Sequence, residues 1–164
     1  MLLLSHQQIE RKLHRLAYEI LERNYGEPHL VLAGINTRGR QLAEMLYRFM
    51  EGRTDAQLHL TGVKLDPAAP LSHEITFGMP LEEVAGKAVI LVDDVANTGR
   101  TLFYACRPLM GILLSKLEIA VLVDRTHKAF AVQPNYIGLS LATTVQDNID
   151  VRLPAEADMT VTLE

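Results

Sequence analysis

The stretch VILVDDVANTGRT (residues 89–101) runs a buried-type segment into two adjacent carboxylates and then into a glycine-bearing turn. Ala88–Val92 is continuously apolar, as expected of a strand covered on both faces. Asp93 and Asp94 would then emerge at its carboxyl end, and Ala96–Thr101 would form the turn into a helix spanning Thr98 or Gly99 to about Leu114. Backbone N–H groups at a helix start lack intrahelical partners and suit an anion. Gly99 allows close backbone approach, and the Thr98 and Thr101 hydroxyls add donors. Acids repel phosphates, so the two carboxylates must face something that donates hydrogen bonds. Vicinal ribose hydroxyls meet that need, and a divalent cation relieves the repulsion. The ligand that unites both halves of the stretch is a ribose 5-phosphate. Neither GxxxxGK[ST] nor GxGxxG occurs, so the competing nucleotide loops are excluded.

Outward from this stretch, strands and helices alternate. Ser5 caps a helix running to about Tyr25, with Ile9, Leu13, Leu16, Ile20 and Leu21 at helical spacing. His29–Ile35 reads as a buried strand, Thr37–Glu51 as a helix and Gln57–Leu65 as β. The segment 66–86 holds three prolines and two glycines and reads as mostly irregular, with a short β excursion at HEITF. Leu117–Val123 and Tyr136–Leu139 read as strands, and the alternating tail Met159–Leu163 as an edge strand. The class is α/β, with a mainly parallel central sheet flanked by helices in a single domain, 1–164. Ligands of such sheets bind beyond the carboxyl ends of the strands. That rule selects the loops 36–40, 93–101 and 124–128.

Composition narrows the function. The net charge of −4 argues against a broadly basic nucleic-acid surface. Cys106 is the only cysteine, which excludes an internal disulfide or a cysteine-cluster metal site, and a small buried thiol is the expected state. The N-terminal apolar run is too short for a signal peptide and no segment is long enough for a membrane span, so a cytoplasmic protein with no membrane partner is expected.

VILVDDVANTGRT resembles the phosphoribosyl diphosphate (PRPP) signature of the type I phosphoribosyltransferases. LVLAGINTRGR (30–40), IAVLVDRTHK (119–128), YIG (136–138) and EILERN (19–24) are similar to blocks of the bifunctional pyrimidine-operon attenuator/uracil phosphoribosyltransferase family. The resemblance implies that fold, with a small hood and flexible-loop region. It implies that Asp93 and Asp94 hold the ribose hydroxyls, while Ala96, Asn97, Thr98, Gly99, Arg100 and Thr101 cradle the 5-phosphate through backbone amides, with the Arg100 side chain facing solvent. Thr37, Arg38 and Gly39, with Asn36 before them, would bind the diphosphate in a loop that often contains a cis peptide. Arg38 would join Asp93 and Asp94 in the chemistry. Asp124, Arg125, His127, Tyr136 and Ile137 would lie beside a pyrimidine base. Mg²⁺ would arrive mainly through PRPP and water, with Asp93 as the one candidate protein ligand. A homodimer or higher oligomer is implied as well.

Two departures qualify the resemblance. The family's lid carries a Tyr-Arg-acid-acid cluster, and residues 66–86 have neither an arginine nor such a cluster. A shortened lid admits water and loses diphosphate contacts. RNA-binding members use basic positions on the first helix and near YIG; here Arg11, Lys12, His14 and Arg15 are also explained by a solvated helix face, and AVQPNYIGLS is neutral. RNA is therefore not expected as a partner. Three readings stay open: a uracil phosphoribosyltransferase, a catalytically weak PRPP or nucleotide sensor, and a phosphoribosyltransferase for another base.

Overall fold

The computed structural model describes residues 1–144, 146–153 and 158–164. In chain order the elements are β1 (Leu2–Leu4), α1 (His6–Arg23), β2 (His29–Ile35), α2 (Asn36–Met50), β3 (Gln57–Lys64), β4 (Thr76–Phe77), α3 (Leu81–Val84), β5 (Ala88–Ala96), α4 (Arg100–Ala105), a 3₁₀ turn (Arg107–Gly111), β6 (Lys116–Arg125), β7 (Tyr136–Leu141), β8 (Ile149–Arg152) and β9 (Thr160–Leu163). Six strands form one sheet in the order β4-β3-β2-β5-β6-β7, parallel except for β4. The central strands are buried on both faces, and their side chains alternate between two cores. Leu30, Leu32, Ile90, Val92 and Leu122 pack with α1 and α2, while Val31, Ala33, Val89, Leu91 and Val121 pack with Val84, Leu102, Ala105 and Leu109.

After β2 the chain crosses to β3 on one side, and β5 then enters on the other. The gap between the carboxyl ends of β2 and β5 is thus a topological switch point, where open α/β sheets bind ligands. Two glycines close this region up. A Cβ on Gly39 would stand 2.5 Å from the Val92 carbonyl oxygen, so α2 begins in direct backbone contact with the end of β5. Gly39 is thus required for the close approach of α2 to β5 at the edge of the cleft. The 36–40 loop is corrected: α2 starts at Asn36 without a connecting loop. Among the described residues there is no cis peptide bond; the chain turns instead through Asn36, whose φ is +52°.

Several expected boundaries move. β5 continues through Ala96 and β6 through Arg125, so the acid pair and Asp124 sit on strand ends rather than in loops. The helix expected to reach Leu114 stops at Ala105 and gives way to a 3₁₀ turn containing Pro108, which has no N–H to extend an α-helical ladder. Cys106 is buried there, and burial pushes its thiol pKa up. Segment 66–86 is more ordered than expected: β4 pairs with Val63 and Lys64, α3 follows, and Ile75 is buried. The tail strand does not join the main sheet. Together β1, β9 and β8 make a separate antiparallel sheet, whose Leu4, Ile149, Val151 and Val161 complete the α1/α2 core. No described helix is long and apolar enough to cross a membrane.

Candidate functional site

The acid pair lies in a cleft of about 370 Å³ at the switch point, lined by Asn36, Thr37, Arg38, Asp93, Asp94 and Ile149 among others. Two larger hollows, about 720 and 790 Å³, run along 66–86 and touch neither acid. β5 places successive side chains on opposite faces, and of the two acids that line the cleft Asp93 is the more deeply set, at 8% exposure, with Asp94 more open. Burial, then the neighbouring Asp94 charge, raises the Asp93 pKa well above the ordinary carboxylate value; Arg38 opposes this. The Asp94 N–H donates to Asp93 Oδ1 at 2.9 Å.

Arg38, from the first turn of α2, bridges two elements. Its guanidinium is 3.6 Å from Asp94 and 3.4 Å from Asp150 on β8, and Asp150 in turn accepts from Arg152 Nε at 3.0 Å. The small sheet thereby forms a roof, with Ile149 lining the cleft and Asp150 holding Arg38. Sequence reasoning missed both residues. Their available signal was the apolar alternation Ile149, Val151 and Leu153.

The turn after β5 forms a second, smaller hollow of about 40 Å³, lined by residues 95–102. Gly99 makes it possible: its φ is +87°, and a Cβ would stand 2.5 Å from Val132 Cγ2. Among the described residues, the N–H groups of Thr98, Gly99 and Thr101 meet no protein acceptor. They are open to an anion. Arg100 departs from expectation, because its guanidinium donates to the Pro67 carbonyl and, at 2.8 Å, to that of Ala68. It ties 66–68 to the turn instead of facing solvent.

The expected base wall comes apart. Tyr136 is wholly buried, donates to Glu118 Oε1 at 2.8 Å and accepts from Asn24 at 3.2 Å, so it has no free stacking face. It pairs with Ala120 at the far end of β7, four residues before Ser140 draws level with Asp124. Ile137 shares that position, and its carbonyl accepts from Arg15 at 2.8 Å. Asp124 is buried against Lys128 at 2.6 Å. The Arg125 guanidinium is occupied by Thr143 Oγ1, the Thr144 carbonyl and Asn97 Oδ1 at 2.7, 2.7 and 3.2 Å. His127 is exposed beyond β6. Of the basic residues on α1, Lys12 and Arg15 donate to the Gly138 carbonyl at 2.9 and 3.0 Å, capping the edge strand β7.

The phosphoribosyl transferase domain model matches residues 2–155. The chain belongs to the phosphoribosyl transferase family. Within that family it is 39% identical over 164 residues to the bifunctional protein PyrR of Pelotomaculum thermopropionicum, covering 92% of this chain and 87% of the relative. It is 37% identical to the PyrR of Brevibacillus brevis, covering 92% and 88%. A hypoxanthine phosphoribosyltransferase from Staphylococcus aureus superposes with a TM-score of 0.73 at 19% identity, covering 88% of this chain and 79% of that one, and so shares the phosphoribosyl transferase fold.

Among the described residues, no three metal-ligating side chains converge. Two adjacent carboxylates on an open cleft suit an Mg²⁺ carried in by phosphates and water, which is how this ion is commonly held, and do not suit a resident caged ion.

Proposed function

We propose that this chain binds PRPP and transfers its ribose 5-phosphate to a pyrimidine base, uracil giving UMP. The observation that carries the reading is that the cleft of the acid pair adjoins the hollow of the turn with open amides, the two sharing Val95, Asn97 and Thr101 as lining. In this reading Asp94, with Asp93 behind it, accepts from the ribose hydroxyls. The amides of residues 97–101 hold the 5-phosphate, and Thr37 lines the diphosphate side. The C1–O bond to diphosphate breaks as a C1–N bond to the base forms, and the base nitrogen's proton passes to solvent. Arg38 stabilises the charge that builds on the leaving diphosphate. Mg²⁺ bound with PRPP supplies further neutralisation of that charge. Choice of a pyrimidine is supported by the resemblance of blocks 30–40 and 119–128 to the pyrimidine-operon attenuator/uracil phosphoribosyltransferase family. The sensor reading is favoured by one observation: 66–86 contains no arginine to close over the diphosphate. A cytoplasmic homodimer or higher oligomer, without RNA, belongs to the same proposal, and light scattering measures the mass.

Incubating the protein with PRPP, Mg²⁺ and a panel of bases, and following diphosphate release, separates these readings. Release with uracil is expected. Release only with a purine overturns the pyrimidine assignment, and PRPP binding with no turnover of any base replaces the enzyme by a sensor.

A further inference from the structure

We propose that Lys128 is a positioning residue for the 96–99 turn, aiming its amides at the phosphate without touching the ligand; this rests on the PRPP reading above. The Lys128 ammonium donates to Asp124 Oδ1 at 2.6 Å, to the Asn97 carbonyl at 3.0 Å and to that of Arg125, and the Ala96 carbonyl lies 3.5 Å away. The two residues that follow continue the brace: the N–H groups of Ala129 and Phe130 donate to the Thr98 carbonyl at 2.9 and 3.2 Å. A trans peptide is planar, with its C=O and N–H pointing in opposite directions. Drawing the Asn97 carbonyl towards Lys128 turns the Thr98 N–H away from it, and drawing the Thr98 carbonyl towards residues 129 and 130 does the same to the Gly99 N–H. Both amides lack a protein acceptor among the described residues, and both belong to residues that line the 40 Å³ hollow. Lys128 does not line that hollow. It works from behind, with buried Asp124 fixing where its charge sits.

The test compares wild type, Lys128→Met and Lys128→Arg by titration calorimetry with UMP, and by kcat and KM for PRPP. Lys128→Met is expected to weaken UMP binding about tenfold and to raise the KM for PRPP by a similar factor with kcat within about twofold, since misaimed hydrogen bonds weaken binding of phosphate in ground and transition states alike. Lys128→Arg, which keeps the donors, is expected to restore most of the affinity. Equal UMP binding by wild type and Lys128→Met overturns the proposal, as does a loss confined to kcat. If Lys128→Met fails to fold, Asp124→Asn keeps the ammonium and loosens its anchor: about threefold weaker UMP binding supports the proposal, and unchanged binding overturns it. Failure of wild type to bind either PRPP or UMP instead removes the underlying functional reading, and this inference with it.

Discussion

Residues 93–101 and residues 66–86 serve the same part of the molecule and are held by different means. The first segment is the end of a central strand with a partner on each side, a left-handed glycine and a brace from 128–130. Its geometry is fixed before any ligand arrives. The second is a two-residue strand at the sheet edge, a four-residue helix and a few hydrogen bonds, with Arg100 gripping its first carbonyls. A fixed segment can store an unfavourable arrangement such as two adjoining acids, whereas a loosely held one can open and close. Structural restraint is concentrated on the segment that carries the acid pair and the turn.

Four variants break or sharpen that contrast. The largest effect is expected from Asp93→Asn combined with Asp94→Asn: PRPP binding measured by calorimetry should fall by more than about a hundredfold, with the circular dichroism spectrum unchanged. Normal binding would dissolve the contrast, because the fixed segment would then not be the one that recognises ligand. Gly99→Ala comes next. It forces a side chain into a left-handed φ and against Val132, and should destabilise the fold by about 2–3 kcal/mol in urea unfolding while weakening PRPP binding. Asp93→Asn alone should do the reverse for stability. Folding raises the Asp93 pKa, so the native state binds its proton more tightly than the unfolded chain. Native stability therefore falls as pH climbs from the ordinary carboxylate value of 3.8 through the raised one, and the amide escapes that loss. The variant's Tm should exceed wild type at pH 8 by a few degrees, with the gap closing towards pH 4. The smallest effect belongs to Arg100→Ala, which releases Pro67 and Ala68. Limited proteolysis within 66–86 should quicken about threefold, with global Tm nearly unchanged.

How much was legible follows from how each residue is held. His29–Ile35 matches its expected bounds because an apolar run flanked by a helix-stopping Gly26 and Pro28 has few alternatives. The acid pair and its turn were legible because their chemistry is local, with every part within about one turn of chain. Tyr136 was misplaced for the opposite reason: sequence indicates a strand there but not which end of it reaches the cleft, and each residue shifts the position by about 3.3 Å. Asp150 was hidden because its partner Arg38 is distant in sequence and ordinary in type; Lys128 fell inside the selected 124–128 segment, but its hold on the 96–97 carbonyls left no local signal. Of the small sheet, the alternating tail was legible as an edge strand, but the short β1 and β8 were not, and nothing local says that the three strands pair with one another.

That small sheet also sets an order of events during synthesis. The Met1 amino group donates to the Leu163 carbonyl at 2.6 Å, joining positions 162 residues apart, and Leu2 pairs with Thr162. β1 is made long before its neighbour β9, and their pairing is slow because so long a loop must be brought together. The floor of the cleft, with its acids and turn, can assemble on the nascent chain while the strand bearing Asp150 is still unmade. Until β8 is made, Arg38 has the acid pair beside it but not Asp150.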